Sequence, residues 1–357
     1  MKMINENNNK IMINSNLKFI ILMTLTIIII MILLPVLFLN DNKSDKDILQ
    51  FKLNENNIVK NSGLLFPNDA KVKVYRREND TVEELDLEEY IKGVVASEMP
   101  ANFEEEALKA QAVAARTYYM NKRLNPCNDG QSKGAEICDS THCQVYMDKE
   151  DRLSKWSEKD RQSNWEKIDD AVESTKGEVL TYDGKVLEYP QFFAISSGKT
   201  EDAVDVLSIN IPYLKSTESK GEEIAPKYET TSSISIEDFI NKIKSKYNNI
   251  EISKSNIKKS IEIESYTEGG GVKEVKIGNE TISGIEFRKL LNLNSTNFKI
   301  SFNDNNIIFS CKGYGHGVGM SQWGANAMAK NGSKFDEILK HYYSGADIDR
   351  IEYNLVK

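Results

Sequence analysis

The sequence predicts an α+β fold: a mixed helix and strand core with a central cleft, carrying a second, smaller α+β lobe. Three patterns lead to it. Between Asp86 and Arg123 two helical signatures follow one another across Pro100. Further on, Gly177 to Phe193 (GEVLTYDGKVLEYPQFF) has the look of a hairpin, because Asp183-Gly184 supplies the positive-φ residues a tight turn needs. From about Ser232 to Ser310, amphipathic helix and strand patterns alternate around a Gly269-Gly270-Gly271 loop.

The chain has 357 residues and a net charge of −8, a mildly acidic balance that gives no support to nucleic acid as a partner. From Phe19 to Leu39 run 21 residues without a charge, enough to span a bilayer core. No small-residue cleavage pattern follows, and Lys2, Lys10 and Lys18 precede the span. The expectation is an uncleaved single-pass anchor at 19–39 in the cell membrane, with residues 1–18 cytoplasmic and everything after Asn40 outside. Residues 40–63 are polar and asparagine-rich and are expected to form a tether. The core then occupies 64–231 and resumes at 311–357, with 232–310 as the second lobe or insertion.

Within the core, Lys71 to Tyr75 alternates polar and apolar residues, and Asn79-Asp80 marks a turn after it. Asp86 and Glu89 have capping-box spacing, so a helix is expected from Leu87. Leu87, Tyr90, Ile91, Val94 and Val95 form its apolar stripe, with Glu88 and Glu89 on the wet side. Pro100 ends this helix. Asn102 with Glu105 resembles a second cap, ahead of an alanine-rich helix. Glu98, three turns after Leu87, falls near the buried stripe. A carboxyl there loses hydration, so its pKa rises and it can serve as a proton donor. Lys109 and Arg116 are two turns apart and share one helical face, suited to an anionic or hydroxyl-rich ligand. The competing view makes Glu98 a helix-end carboxylate and the two cations solvated charges.

Cys127, Cys138, His142 and Cys143 cluster in sequence, whereas Cys311 lies far off. Outside a membrane, close cysteines most often form a disulfide. Three thiols and an imidazole are also a zinc set, although C-x10-C-x3-H-C is not a standard finger spacing. Ser196 to Thr200 is small and polar, suited to a cleft wall. Four glycines surround Tyr314 and His316, which lets a ligand or strand approach the backbone. His316 either orients Glu98, binds ligand, or is satisfied inside the fold.

The segment YIKGVVASEMPANFEEEALKAQAVAARTYYM, with CDSTHCQVY from Cys138 to Tyr146 and GYGHGVGMSQWGA from Gly313 to Ala325, resembles the stage II sporulation protein D family. The likeness runs from about Lys71 to the C-terminus. It implies a membrane-anchored lytic transglycosylase that cuts peptidoglycan during forespore engulfment. Glu98 would be the single catalytic carboxyl, with no cofactor in the chemical step. By matched motif, Thr200, Tyr213 and Lys215 would join Lys109 and Arg116 around the sugar. The likeness also implies a structural zinc at Cys127, Cys138, His142 and Cys143. Its implied partners are glycan strands stripped of stem peptides, the amidase stage II sporulation protein P, and stage II sporulation protein M. Relatives described as amidase enhancers keep a second function open, a glycan binder that stimulates a partner without cutting. A third is a zinc-stabilised membrane scaffold.

Overall fold

The computed structural model describes residues 64–66 and 71–353, all belonging to one compact unit. The expected anchor at 19–39 and the whole tether at 40–63 lie outside the described residues. Among the described residues no helix is long and apolar enough to cross a membrane. The fold is α+β, built from several small sheets around a helical centre.

Strand β1 (Leu64–Phe66) runs parallel to the last strand, so the two ends of the core meet in one sheet. Strands β2 (Lys71–Arg76) and β3 (Thr81–Asp86) form an antiparallel pair, with Asp80 at φ 52° in the turn. Helix α1 (Leu87–Glu98) starts as expected, but the Asp86 side chain caps nothing; it pairs with Lys71 Nζ at 2.7 Å. Glu104, not Asn102, stands at the N-cap position of helix α2 (Glu105–Leu124), and its side chain makes no capping hydrogen bond. The Glu104 N–H donates instead to Asn326 Oδ1.

Helix α2 is the centre of the molecule. Its alanines at 107, 110, 112, 114 and 115 are buried, and their short side chains let neighbouring elements approach closely. Packed around it are α1, α4 (Arg161–Ser174), β5 (Glu178–Tyr182), α7 (Gln322–Lys330) and α8 (Phe335–Tyr342). Between α2 and α4 come strand β4 (Ile137–Cys138), which pairs with β2, and a short helix α3 (Lys149–Lys155). The Asp183-Gly184 hairpin forms between β5 and β6 (Lys185–Val186), both turn residues having positive φ. Strand β5 also pairs with β15 (Asp347–Tyr353). Strand β7 (Phe192–Phe193) pairs with β14 (Met320–Ser321), which brings the glycine-rich segment back beside the Ser196 loop.

The segment from β8 (Glu229–Ser235) to β13 (Asn306–Lys312) has a separate hydrophobic core. It holds helices α5 (Ile236–Lys246) and α6 (Gly284–Leu291), and two three-stranded sheets. One is β8, β13 and β12 (Phe298–Phe302); the other is β9 (Ile261–Tyr266), β10 (Val272–Ile277) and β11 (Glu280–Ser283). Phe239, Phe287, Phe298 and Phe309 form its aromatic centre. Glu201 fixes this lobe to the core: its backbone N–H donates to Gly317 O, while its carboxyl takes the Gly271 N–H. A Cβ at Gly269, Gly271 or Gly317 would run into that carboxylate side chain, which explains glycine at all three positions.

Candidate active site and cysteine cluster

Glu98 is the last residue of α1, where the extended Met99 and Pro100 turn the chain away. Its carboxyl lines an open cavity of about 780 Å³. One wall is the turn Ser97 to Asn102; the other carries Arg152 of α3, Trp156 and Asp160 from the connection that follows, and Asn164 of α4. The Val145 N–H donates to Glu98 Oε1 at 2.7 Å, and Gln322 Nε2 reaches Oε2 at a long 3.5 Å. Burial pushes the Glu98 pKa above the ordinary carboxylate value, and these two hydrogen bonds only partly oppose the shift. The expected loss of hydration with a raised pKa is therefore present, on a group that still opens onto a cavity.

The Val145 contact depends on a close approach. A Cβ at Gly93 would lie 2.4 Å from the Tyr146 ring and 2.6 Å from Met147 O. Glycine there lets the 144–147 segment lie flat on α1, one turn before Glu98. Tyr146 stacks on Tyr90 with ring centroids 5.2 Å apart, and Gln144 Nε2 donates to the Tyr90 hydroxyl. This segment directly follows the cysteine cluster.

All four cysteines are free thiols, so the disulfide alternative is not the arrangement found. The ligand atoms of Cys127, Cys138, His142 and Cys143 lie within 4.8 Å of one another. His142 Nδ1 is 3.5 Å from Cys138 Sγ and 3.6 Å from Cys143 Sγ. A tetrahedral ion with zinc's Zn–S and Zn–N bond lengths would place sulfur and nitrogen about 3.6 Å apart. The donor set therefore fits a structural metal held by three thiolates and one imidazole. The Gly130 N–H donates to Cys127 Sγ, the kind of outer contact that steadies a thiolate ligand.

The remaining expected residues are scattered. Arg116 does not share an exposed face with Lys109: it is 0% exposed, and it clasps Glu88 through Nη2 at 2.7 Å and Nε at 3.1 Å. Glu88 is correspondingly buried instead of lying on the wet side. Lys109 pairs with Glu105 and Glu106 of its own helix. Thr200 is buried, with its hydroxyl bonded to the backbone at Lys215 and Thr217. The Tyr213 hydroxyl accepts the Tyr189 N–H, and Lys215 is exposed beside Asp202 and Asn210. None of these five is among the residues lining the Glu98 cavity. His316 receives the Val318 N–H on Nδ1, and its Nε2 donates to Phe192 O. Burial pushes its pKa down to about 4, so it is a neutral packing histidine rather than a partner of Glu98.

Sequence reasoning passed over Gln322, Val145, Gly93, Arg152 and Trp156. Gln322 lies inside the GYGHGVGMSQWGA stretch already singled out. The Arg152–Trp156 pair has i, i+4 spacing, but nothing local aims it at Glu98.

The family model described as Stage II sporulation protein (SpoIID) matches residues 75–182, the stretch that holds Glu98 and the cysteine cluster. Stage II sporulation protein D of Bacillus subtilis (strain 168) is 39% identical over 81% of this chain and 81% of its own length. The Bacillus amyloliquefaciens protein of the same name is 39% identical over the same shares. A Bacillus subtilis protein named Amidase enhancer is 30% identical over 72% of this chain and 40% of its own. With three motifs in order and this extent of identity, the chain belongs to the stage II sporulation protein D family of sporulation proteins.

Proposed function

We propose that this chain is a lytic transglycosylase of the cell wall, acting during forespore engulfment on the bond between N-acetylmuramic acid and N-acetylglucosamine. One observation carries the reading: the Glu98 carboxyl, its pKa raised by burial, opens onto a cavity large enough for a sugar. Protonated Glu98 donates its proton to the glycosidic oxygen as the C1–O bond breaks. The resulting carboxylate, steadied by the Val145 N–H, then accepts the proton of the substrate's own C6 hydroxyl. The C6 oxygen closes on C1, leaving a 1,6-anhydro end and consuming no water. The second carboxyl that ordinary glycosidases use is replaced by the substrate hydroxyl.

In this reading Cys127, Cys138, His142 and Cys143 hold zinc. The ion would close the loop that delivers Val145, a structural contribution with no part in the proton transfers. An uncleaved membrane span at 19–39 keeps the domain outside the cell membrane. Stage II sporulation proteins P and M are its partners, the first supplying strands free of stem peptides. The likeness to Amidase enhancer supports a second reading, a glycan binder that raises a partner's rate.

Mass analysis of products from peptide-free glycan strands incubated with the full-length protein decides between them. New 1,6-anhydro ends support the transglycosylase. Ends heavier by one water indicate hydrolysis instead, and uncut strands with a faster amidase partner favour the enhancer.

A further inference from the structure

Among the described residues, Arg152 has no carboxylate partner. Its guanidinium lies 4.9 Å from the Trp156 ring centroid and lines the same cavity as Glu98. Its Nε is buried, and no acceptor among the described residues reaches it. Two other enclosed arginines, by contrast, are paired with carboxylates: Arg116 with Glu88, and Arg76 with Glu83, Asp139 and Asp148. Asp160 shares the cavity wall, yet its carboxylate accepts the Ser157 hydroxyl rather than turning to Arg152. Burial without compensation pulls the Arg152 pKa below its ordinary value.

A partly desolvated guanidinium on an indole face is arranged to accept a ligand. Stacking holds the planar fork in one orientation, and the fork matches a carboxylate through two parallel N–H···O bonds. An uncharged sugar hydroxyl would leave most of the desolvation unanswered, whereas a carboxylate answers it fully. On the glycan proposed above, the anionic group is the lactyl carboxylate at C3 of N-acetylmuramic acid. That group is free when the stem peptide has been removed. When the peptide is present it is an amide, which carries no charge.

We propose that Arg152, oriented by Trp156, binds the free lactyl carboxylate of the muramyl residue seated beside Glu98. Through it the cavity selects strands without stem peptides. The inference rests on the glycan reading above but not on the cleavage step. Arg152 is a specificity residue; it touches the substrate away from the reacting atoms.

Binding separates the two. The full-length protein carrying Glu98→Gln, which holds strands without turning them over, is titrated with peptide-free strands. The same strands with their lactyl carboxylates converted to methylamides serve as the comparison. The free-acid strands should bind about tenfold more tightly or better, the range for a hydrogen-bonded charge pair. Adding Arg152→Gln should erase that difference by weakening the free-acid strands alone, with thermal unfolding unchanged. Should Arg152→Gln fail to fold, Arg152→Lys takes its place. It keeps the charge but loses the stacked fork, and should reduce the preference several-fold. Equal affinity for both strand types, an equal loss on both, or a preference untouched by either variant overturns the proposal. Selective binding, with a parent protein that cuts neither strand type, overturns the transglycosylase and leaves this site standing. Cutting without any carboxylate preference does the reverse.

Discussion

The Glu98 and Glu222 carboxyls have pKa values raised by the same cause, loss of hydration, and they are put to different uses. Glu98 opens onto a cavity, with one short hydrogen bond from Val145 and a long one from Gln322. Glu222 is 1% exposed and enclosed by the Ser196 amide and the hydroxyls of Ser196, Ser219 and Ser321. Burial pushes both up. A raised pKa is therefore no mark of catalysis by itself. What separates the two is unused hydrogen-bonding capacity facing a space that a ligand can enter. Glu222 spends its acceptors joining the Ser196 loop to β14 and α8, with the Tyr342 hydroxyl bonded to Ser219 Oγ. Glu98 keeps acceptors free.

Glu98→Gln should produce the largest effect. The amide is nearly isosteric but cannot donate a proton in this way, so cleavage should fall at least roughly a hundredfold. Glycan binding should remain close to the parent's, and the fold should be retained. A folded Glu98→Gln protein that still turns over at the parent rate would return Glu98 to the same structural category as Glu222.

The second prediction links the Glu98 side of the comparison to the cysteines. Val145 follows Cys143 by two residues, so the cluster and the hydrogen bond to Glu98 share one short segment. Cys138→Ser, or removal of metal by a chelator, should lower both metal content and melting temperature, because metal affinity forms part of the folding free energy. The rate should fall by about tenfold through displacement of Val145, the range for outer contacts at metal sites. Metal analysis, thermal unfolding and single-turnover cleavage measure the three. Full stability and full rate in a metal-free protein would uncouple the cluster from the site.

How much of this was legible in the sequence follows from how local each signal is. The α1 stripe, the Pro100 stop, the Asp183-Gly184 hairpin and the place of Glu98 beside buried valines all depend on residues within a few turns of one another, and the α+β class follows from them. Arg116 depends on no neighbour of that kind. Its partner Glu88 lies 28 positions away on another helix, so helical spacing from Lys109 predicted a face that tertiary packing closes. The far wall of the cavity is hidden for the same reason. Arg152 and Trp156 meet Glu98 only because α3 is folded back near the end of α1, and Gly93 allows the intervening loop to lie close. Ser196 and Thr200 show the converse. Small polar residues suggested a cleft wall, yet they face Glu222 and the backbone of Lys215 and Thr217.

Glu222→Ala tests the other side of the comparison. It leaves three hydroxyls and one amide without their shared acceptor inside the protein, at a cost of about 3 kcal/mol of stability. The rate per folded molecule should not change, since Glu222 does not line the Glu98 cavity. Denaturant unfolding alongside cleavage assays below the melting temperature reads both. A variant of normal stability that has lost activity would place Glu222 in the chemistry.

The smallest effect distinguishes the two carboxyls by pH. Because burial raises the folded-state pKa of Glu98, protonated Glu98 favours the folded state relative to its ionised form. That contribution is fully present below the unfolded value of about 4.3 and is lost as pH rises through the higher folded value. Glutamine stays neutral at every pH and cannot lose it. The melting temperature of Glu98→Gln should therefore exceed that of the parent at neutral pH, and the gap should close as pH falls to about 4. Glu222 has a raised pKa too, but glutamine there would turn an N–H₂ group toward hydroxyls that now donate to oxygen. Glu222→Gln should accordingly be less stable than the parent at neutral pH. Melting curves of the three proteins from pH 4 to 8 compare these signs directly. A destabilised Glu98→Gln at neutral pH would mean that its carboxylate is as fully engaged as that of Glu222, and the contrast between the two sites would fail.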